Sequence, residues 1–392
     1  MNKIEVVSYA NLVGMDKNHP VLSRRNVLKY TSGAVGSVAL TGLASGSTDD
    51  DATSVYNVGF ETQGARRAAI NAASSVVREF NSIPAVTIEI PDAAAENLAT
   101  GAGIRYVEEN GTMEALDFYP WGINRIGADV AHNNGYTGSG AHVAVIDTGI
   151  ESDHPDLEAN LGYGGYAVAC SGSGCNYGWD DDNGHGTHCA GTVGAALNGF
   201  GVAGVAPDVT LHAVKVLDAN GSGSYSNIAA GIEWTADQGW DVGSLSLGGG
   251  YSSVVHDACT YAYNNGVLLS AAAGNSGCYG CVGYPAALDE CIAVSATDQN
   301  DNLASFSSYG PEIELAAPGV DVWSTYIGGG YDQLNGTSMA CPHVSGAAAQ
   351  LMSLGYSNTW TRSRLQNTAE DLGHPSYVQG HGLVNVRRAL GL

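Results

Sequence analysis

Lysine is almost missing from this chain. Four occur in 392 residues, and Lys215 is the only one beyond residue 29. Lysine and arginine together number 15 against 39 acidic residues, for a formal net charge of −24. Such a surface repels nucleic acid and anionic membranes, so neither is expected as a partner. No apolar run reaches the ~20 residues of a membrane-spanning helix, and no stable membrane insertion is expected. Cysteine is missing from the first 169 residues; all eight lie later, at 170, 175, 189, 259, 278, 281, 291 and 341. From Asp117 onward, 26 acidic residues face 6 basic ones. Acidity spread this widely, with so little lysine, suggests adaptation to high salt. There the Debye length falls to roughly 3 Å at 1 M and self-repulsion is screened.

What the chain does have divides into three parts. Residues 1–46 read as a twin-arginine export signal: Ser23-Arg24-Arg25-Asn26-Val27-Leu28-Lys29 precedes a weakly apolar stretch from about Gly33 to Ala44. That implies a secreted protein. Residues 47–116 lack cysteine and alternate short elements in the order β-α-β-β-α-β, with strands expected at 54–60, 75–80, 85–90 and 103–109. This predicts a small α+β, ferredoxin-like (split βαβ) domain, ended by a linker at 108–112. Residues 117–392 alternate apolar strands (142–147, 210–217, 242–247, 267–272) with helices (185–197, 224–238, 252–265). That alternation predicts an α/β fold with a doubly wound, mostly parallel sheet, whose ligands sit beyond the carboxyl ends of its strands. The Gly/Tyr/Cys-rich stretch 162–178 reads as a surface insertion.

Three distant segments carry the parts of an acyl-transfer site: Val-Ala-Val-Ile-Asp147-Thr-Gly, Asn-Gly-His185-Gly-Thr-His-Cys-Ala-Gly and Gly-Thr-Ser338-Met-Ala-Cys-Pro-His. A serine hydroxyl is a poor nucleophile unless a base takes its proton, and that base needs an orienting acid. Asp147 can hold His185 in one tautomer, and His185 can accept the proton of Ser338. Ser338 begins a helix expected over 337–354, so its backbone N–H lies where the helix dipole favours developing negative charge. Asn275, in Ala271-Ala-Ala-Gly-Asn275-Ser-Gly just past an apolar strand, is placed to be the second oxyanion donor.

Together these segments resemble the subtilisin-like serine proteases, closest to the proteinase K and halolysin type. The order Asp, His, Ser is the one long associated with subtilisin. The resemblance covers residues 54–392 and implies further roles. Leu217-Asp-Ala-Asn-Gly221-Ser-Gly223-Ser-Tyr225 and Ser244-Leu-Ser246-Leu247-Gly248-Gly249 match the two strands between which an extended substrate lies. Ser246, Gly248, Ala273 and Gly274 would line the P1 pocket. Gly283 would be its floor, leaving room for large apolar groups, and Tyr225 would rim the S4 pocket. Residues 54–116 resemble the family's propeptide, an inhibitor and folding aid, with the junction between Gly111 and Pro120. Residues from Gly380 to Arg387 match the end of the catalytic domain, and no further carboxyl-terminal domain is expected. Protein or peptide substrates, a monomer and no cofactor for the chemistry are implied. Asp156, in His-Pro-Asp156-Leu, matches a family calcium ligand, but the partner loop Leu197–Gly204 is one residue short of the family pattern.

Other readings of these residues stay open. A catalytically silent binding or chaperone-like protein, an acyl transferase to amines and a zinc hydrolase share parts of the pattern. His185 and His188 lack a third metal ligand at a convincing spacing, and Cys278-x-x-Cys281 lacks the second pair zinc needs. Asp180-Asp181-Asp182 reads as a solvated face or a hard-cation cluster. An exported chain with eight cysteines is expected to hold disulfides. Cys170–Cys175 is the local candidate, and Cys259, Cys278, Cys281 and Cys291 could supply one or two more. Cys189 and Cys341 read as small buried thiols.

Overall fold

The computed structural model describes residues 53–111 and 118–392, with the backbone of 5–7. The twin-arginine segment and part of the expected junction lie outside the described residues. The chain divides into two compact units, 17–114 and 1–16 with 115–392.

Residues 5–7 form strand β1 (Glu5–Val7) of the larger unit. The smaller unit contains β2 (Thr53–Phe60), α1 (Gln63–Ala72), β3 (Ser75–Glu79), β4 (Ala85–Pro91), α2 (Asp92–Ala99) and β5 (Ile104–Glu109). Its sheet order is β3-β4-β2-β5, all antiparallel. Thr62 caps α1 by accepting the Ala65 N–H at 3.1 Å, which sets the helix start at Gln63. Val58, Val86, Ile88 and Ile90 are fully buried and form this unit's own core with Ala69.

The larger unit continues with α3 (Trp121–Arg125), α4 (Ala128–Asn133), β6 (His142–Asp147), β7 (Gly164–Tyr166), α5 (His185–Gly194), β8 (Thr210–Lys215), α6 (Tyr225–Asp237), β9 (Val242–Leu245), α7 (Ser253–Asn264), β10 (Leu268–Ala272), β11 (Cys291–Thr297), β12 (Ile313–Pro318), β13 (Val322–Tyr326), β14 (Gly330–Leu334), α8 (Thr337–Met352), α9 (Asn358–Thr368), α10 (Ser376–Gln379) and α11 (Val386–Leu390). Among the described residues the main sheet runs β1-β7-β8-β6-β9-β10-β11-β12, parallel from β7 to β12, with β1 antiparallel at one edge.

Alternation along the central strands divides two cores. Val143 and Val145 of β6 face one core, shared with α5 and α8, while Ala144 and Ile146 face the other, shared with α6 and α7. A sheet buried on both faces by crossover helices is the doubly wound arrangement. The expected insertion at 162–178 is corrected in part: Gly164–Tyr166 is a sheet strand. Its glycines hide the strand signal, yet they are needed, because a Cβ on Gly164 would run into the Trp179 ring. The disulfides Cys170–Cys175 and Cys278–Cys281 are formed, and Cys189, Cys259, Cys291 and Cys341 are buried thiols.

Candidate active site

Three elements end at one place. Asp147 is the last residue of β6, fully buried, and its Oδ1 accepts the Thr148 N–H at 2.7 Å. His185 is the first residue of α5, and its Nδ1 donates to Asp147 Oδ1 at 2.7 Å. That bond leaves Nε2 as the imidazole's available base. Gly184 precedes the helix at φ +106°, and a Cβ there would lie 2.5 Å from the Tyr326 ring. Only glycine serves at this turn.

Asp181 holds the turn together. Its carboxylate accepts the N–H groups of Asn183 (2.9 Å), Gly184 (3.0 Å) and Thr187 (2.9 Å), and the Thr187 hydroxyl (2.7 Å). Its neighbours diverge. Asp180 is buried and accepts the N–H groups of Ser152 (2.9 Å), Asn176 and Tyr177 (2.8 Å). Asp182 pairs with the fully buried Lys215 at 2.6 Å. Neither a solvated face nor one cation cluster describes residues 180–182; each carboxylate is spent on a different partner. Lys215 Nζ also donates to the carbonyls of Thr148 (2.6 Å) and Leu217 (2.9 Å). It thereby ties the ends of β6 and β8 to the loop before His185.

Ser338 is the second residue of α8 and the only one of that helix that is not buried. Four residues on stands Pro342, which has no N–H, so the Ser338 carbonyl lacks its helical partner. The Ser246 hydroxyl donates to that carbonyl at 2.8 Å, and the Cys189 thiol at 3.4 Å. The Ser338 hydroxyl in turn donates to the Ser246 carbonyl at 3.2 Å. The aspartate–histidine link is therefore formed, while the serine hydroxyl is turned toward Ser246 rather than hydrogen-bonded to His185.

Asn275 Oδ1 accepts both the N–H and the hydroxyl of Thr337 at 2.9 Å. This fixes the amide so that Nδ2 is the free donor end. A Cβ built on Gly336 would lie 3.5 Å from Asn275 Nδ2 and 3.5 Å from Ser338 N. Two donors thus converge on space that a side chain at 336 would occupy.

A cleft of about 760 Å³ opens beside His185. Gly221, Gly223 and Tyr225 line one side, and Ser246, Leu247 and Gly248 the other. Ala273, Gly274 and Gly283, expected at the P1 pocket, are not among the residues that line this cleft. Gly283 N–H donates to the Ala273 carbonyl at 2.9 Å, and Gly249 and Tyr284 exchange backbone bonds at 2.8 and 3.1 Å. A Cβ on Gly283 would face the Gly249 carbonyl at 3.6 Å. Sequence reasoning missed Thr337, Asp181 and Tyr284 here. A threonine next to the serine carries no local signal of an anchor 62 residues away.

Burial pushes His185 down, but the charge and hydrogen bond of Asp147, with Asp181 adding, outweigh it and hold His185 above its ordinary value. Asp156 does not build a calcium cage. It is fully buried, and its oxygens accept the Asn198 amide at 3.0 Å and the Val202 N–H at 2.9 Å. Its carboxylate is already committed to donors, in a loop shortened by one residue, so this donor set does not fit a hard dication wanting six or more oxygens.

Comparison with known proteins gives the family. Residues 138–382 match the Subtilase family. The chain is 47% identical over 318 residues to an alkaline protease of Alkalihalobacillus alcalophilus, covering 80% of this chain and 81% of that one. It is 51% identical over 273 residues to subtilisin Savinase of Lederbergia lenta (69% and 98%), and 43% identical over 321 residues to subtilisin NAT of Bacillus subtilis subsp. natto (80% and 82%). With a doubly wound sheet and this coverage, the chain belongs to the subtilase family and is a subtilisin-like serine endopeptidase.

Proposed function

We propose that this endopeptidase is secreted, adapted to high salt, broad in specificity with a preference for large apolar P1 groups, and matured by its own cleavage. Ser338 is the nucleophile, His185 the general base and acid, and Asp147 its orienting partner. The Ser338 hydroxyl rotates from the Ser246 carbonyl toward His185 Nε2 when substrate fills the cleft; such bonds commonly tighten only in the substrate complex. Attack on the scissile carbonyl gives an acyl-enzyme, His185 protonates the leaving amine, and water completes hydrolysis. The carbonyl oxygen, as it gains charge, meets Asn275 Nδ2 and Ser338 N. A base held above its ordinary value is neutral, and competent, on the alkaline side. The single observation that carries the reading is the convergence of those two donors at Gly336 beside the 2.7 Å Asp147–His185 bond.

The extended substrate adds a strand between residues 221–225 and 246–248, which gives affinity through backbone bonds and little side-chain selection. Glycine at 283 leaves depth for an aromatic or large aliphatic P1 side chain. Residues 47–116 act as a propeptide, inhibiting the enzyme until cut between Gly111 and Pro120, and residues 1–46 direct twin-arginine export. Mass spectrometry of amino termini tests this. Full-length protein made at high salt loses its first ~115 residues and digests casein; Ser338→Ala stays an uncut precursor. If Ser338→Ala matures unaided at the same junction, self-cleavage is wrong.

The salt adaptation has its own measurement. Between 0.1 M and 3 M salt the melting temperature of inhibited enzyme rises, because 26 acidic residues from 117 onward repel one another over a Debye length of about 10 Å at the lower concentration. A melting curve indifferent to salt removes this part of the proposal and leaves the chemistry standing.

A further inference from the structure

We propose that Cys259 and Cys291 form a third disulfide, closing residues 259–291 into a covalent loop. Their sulfurs lie 4.0 Å apart, with Cys259 in α7 and Cys291 opening β11. They are 0% and 2% exposed. The two segments are already pinned on either side of the sulfurs. Thr260 donates to Glu290 at 2.9 Å, His256 lies 3.5 Å from the same carboxylate, and Arg362 donates to the Cys291 carbonyl at 3.1 Å. A bond of about 2.05 Å therefore needs side-chain torsion and little backbone movement.

The other two thiols are differently placed. Cys189 faces the Ser338 carbonyl, and Cys341 the Ser270 carbonyl at 3.2 Å. Cys259 and Cys291 face each other instead. The loop they would close carries β10, Ala273, Gly274, Asn275, the Cys278–Cys281 bridge and Gly283. One bond would thus staple the arm that holds the oxyanion donor and the pocket floor.

Formation needs an oxidant, and a small organic disulfide suffices. The thiolate of Cys259 attacks one sulfur of that disulfide, forming a mixed disulfide and releasing one small thiol. The thiolate of Cys291 then attacks the Cys259 sulfur, expelling the second small thiol. Two protons leave the cysteines and reappear on the two released thiols. The shared hydrogen bond and burial both hold the Cys291 thiol protonated in the finished fold. The exchange therefore belongs to folding, before α7 and β11 close over the pair.

The test uses the full chain as Ser338→Ala, refolded from guanidinium either with oxidised glutathione or with reductant. Each sample is then alkylated while denatured and mapped by mass spectrometry. The oxidised sample is expected to yield one linked peptide pair containing positions 259 and 291, two hydrogens lighter than the sum of its parts. Fully alkylated Cys259 and Cys291 in that sample overturn the proposal. A second readout separates this bond from the other two bridges. In Cys259→Ala/Cys291→Ala, the melting-temperature gap between oxidised and reduced protein is expected to shrink by on the order of 10 °C. An unchanged gap also overturns it.

Discussion

Acidification from pH 7 to pH 4 is expected to remove about 9 kcal/mol of folding stability through three buried histidines alone. Burial holds His188 and His343 at about 4 and His212 at about 3, against an ordinary value of 6.5. The geometry explains why. His188 Nε2 donates to the Val322 carbonyl at 3.0 Å, and His343 Nδ1 to the Met339 carbonyl at 2.8 Å. The second nitrogen of each has no partner among the described residues. His212 Nδ1 donates to the Tyr163 carbonyl while its Nε2 accepts from His142, both at 2.9 Å, and its ring stacks on Trp240 at 3.7 Å. Burial opposes charge on all three rings, and a second proton on His343 Nε2 has no acceptor among the described residues.

The unfolded chain takes up those protons below pH 6.5 and the folded chain does not, so falling pH favours unfolding. The loss is present once pH falls through 6.5 and continues to about 4 for His188 and His343 and about 3 for His212. Each group contributes about 1.4 kcal/mol per pH unit within its window. His132, also lowered by burial, adds to the loss, whereas His185, held above its ordinary value, gains stability as it is protonated. Nine kcal/mol is comparable with the whole stability of an ordinary domain, about 5–15 kcal/mol. Urea titrations of sulfonyl-fluoride-inhibited enzyme at fixed salt, from pH 7 to 4, measure this. A midpoint that stays level between pH 6.5 and 4.5 would refute it.

Sequence legibility followed the range of the forces involved. The run Val143–Ile146 is apolar at every position because both faces of β6 are buried, so the strand and its terminal Asp147 could be read directly. The helix starts at 185 and 337 and the small unit's element order were equally local. What escaped depends on distant partners. Lysine scarcity is visible in the sequence, but not that Lys215 lies inside the protein, because its acceptors come from 148, 182 and 217. The acidic run 180–182 looked uniform, yet tertiary contacts send its three side chains to three tasks. Strands β11 to β14 passed unrecognised: Ile-Glu-Leu-Ala-Ala-Pro at 313–318 and Gly-Tyr-Asp-Gln-Leu at 330–334 carry no clean period. Nor can a sequence reveal that the Ser338 hydroxyl rests on Ser246, since side-chain torsion is set by neighbours from another strand.

Replacing Asn275 by Ala is expected to lower kcat by about 10²–10³-fold, the magnitude known from subtilisin's own oxyanion-hole asparagine. A donor placed for the developing oxyanion acts mainly in the transition state, so KM should change little. An interaction made only in the transition state appears in kcat. The anchoring of Asn275 supplies a stricter form of the test. Asn275→Asp keeps an oxygen for the 2.9 Å bonds from Thr337 and removes the donor, so the arm stays in place while the hole loses its proton and gains repulsion. Its kcat should fall at least as far as that of Asn275→Ala. Thr337→Val keeps the donor and removes one of its two anchors, so its kcat should fall by about tenfold, as an anchoring bond worth about 1.4 kcal/mol would give. Steady-state kinetics on one peptide substrate ranks the three variants. Equal kcat for wild type and Asn275→Asp would mean that charge on the reacting carbonyl is stabilised elsewhere, and that the convergence at Gly336 is not the oxyanion hole.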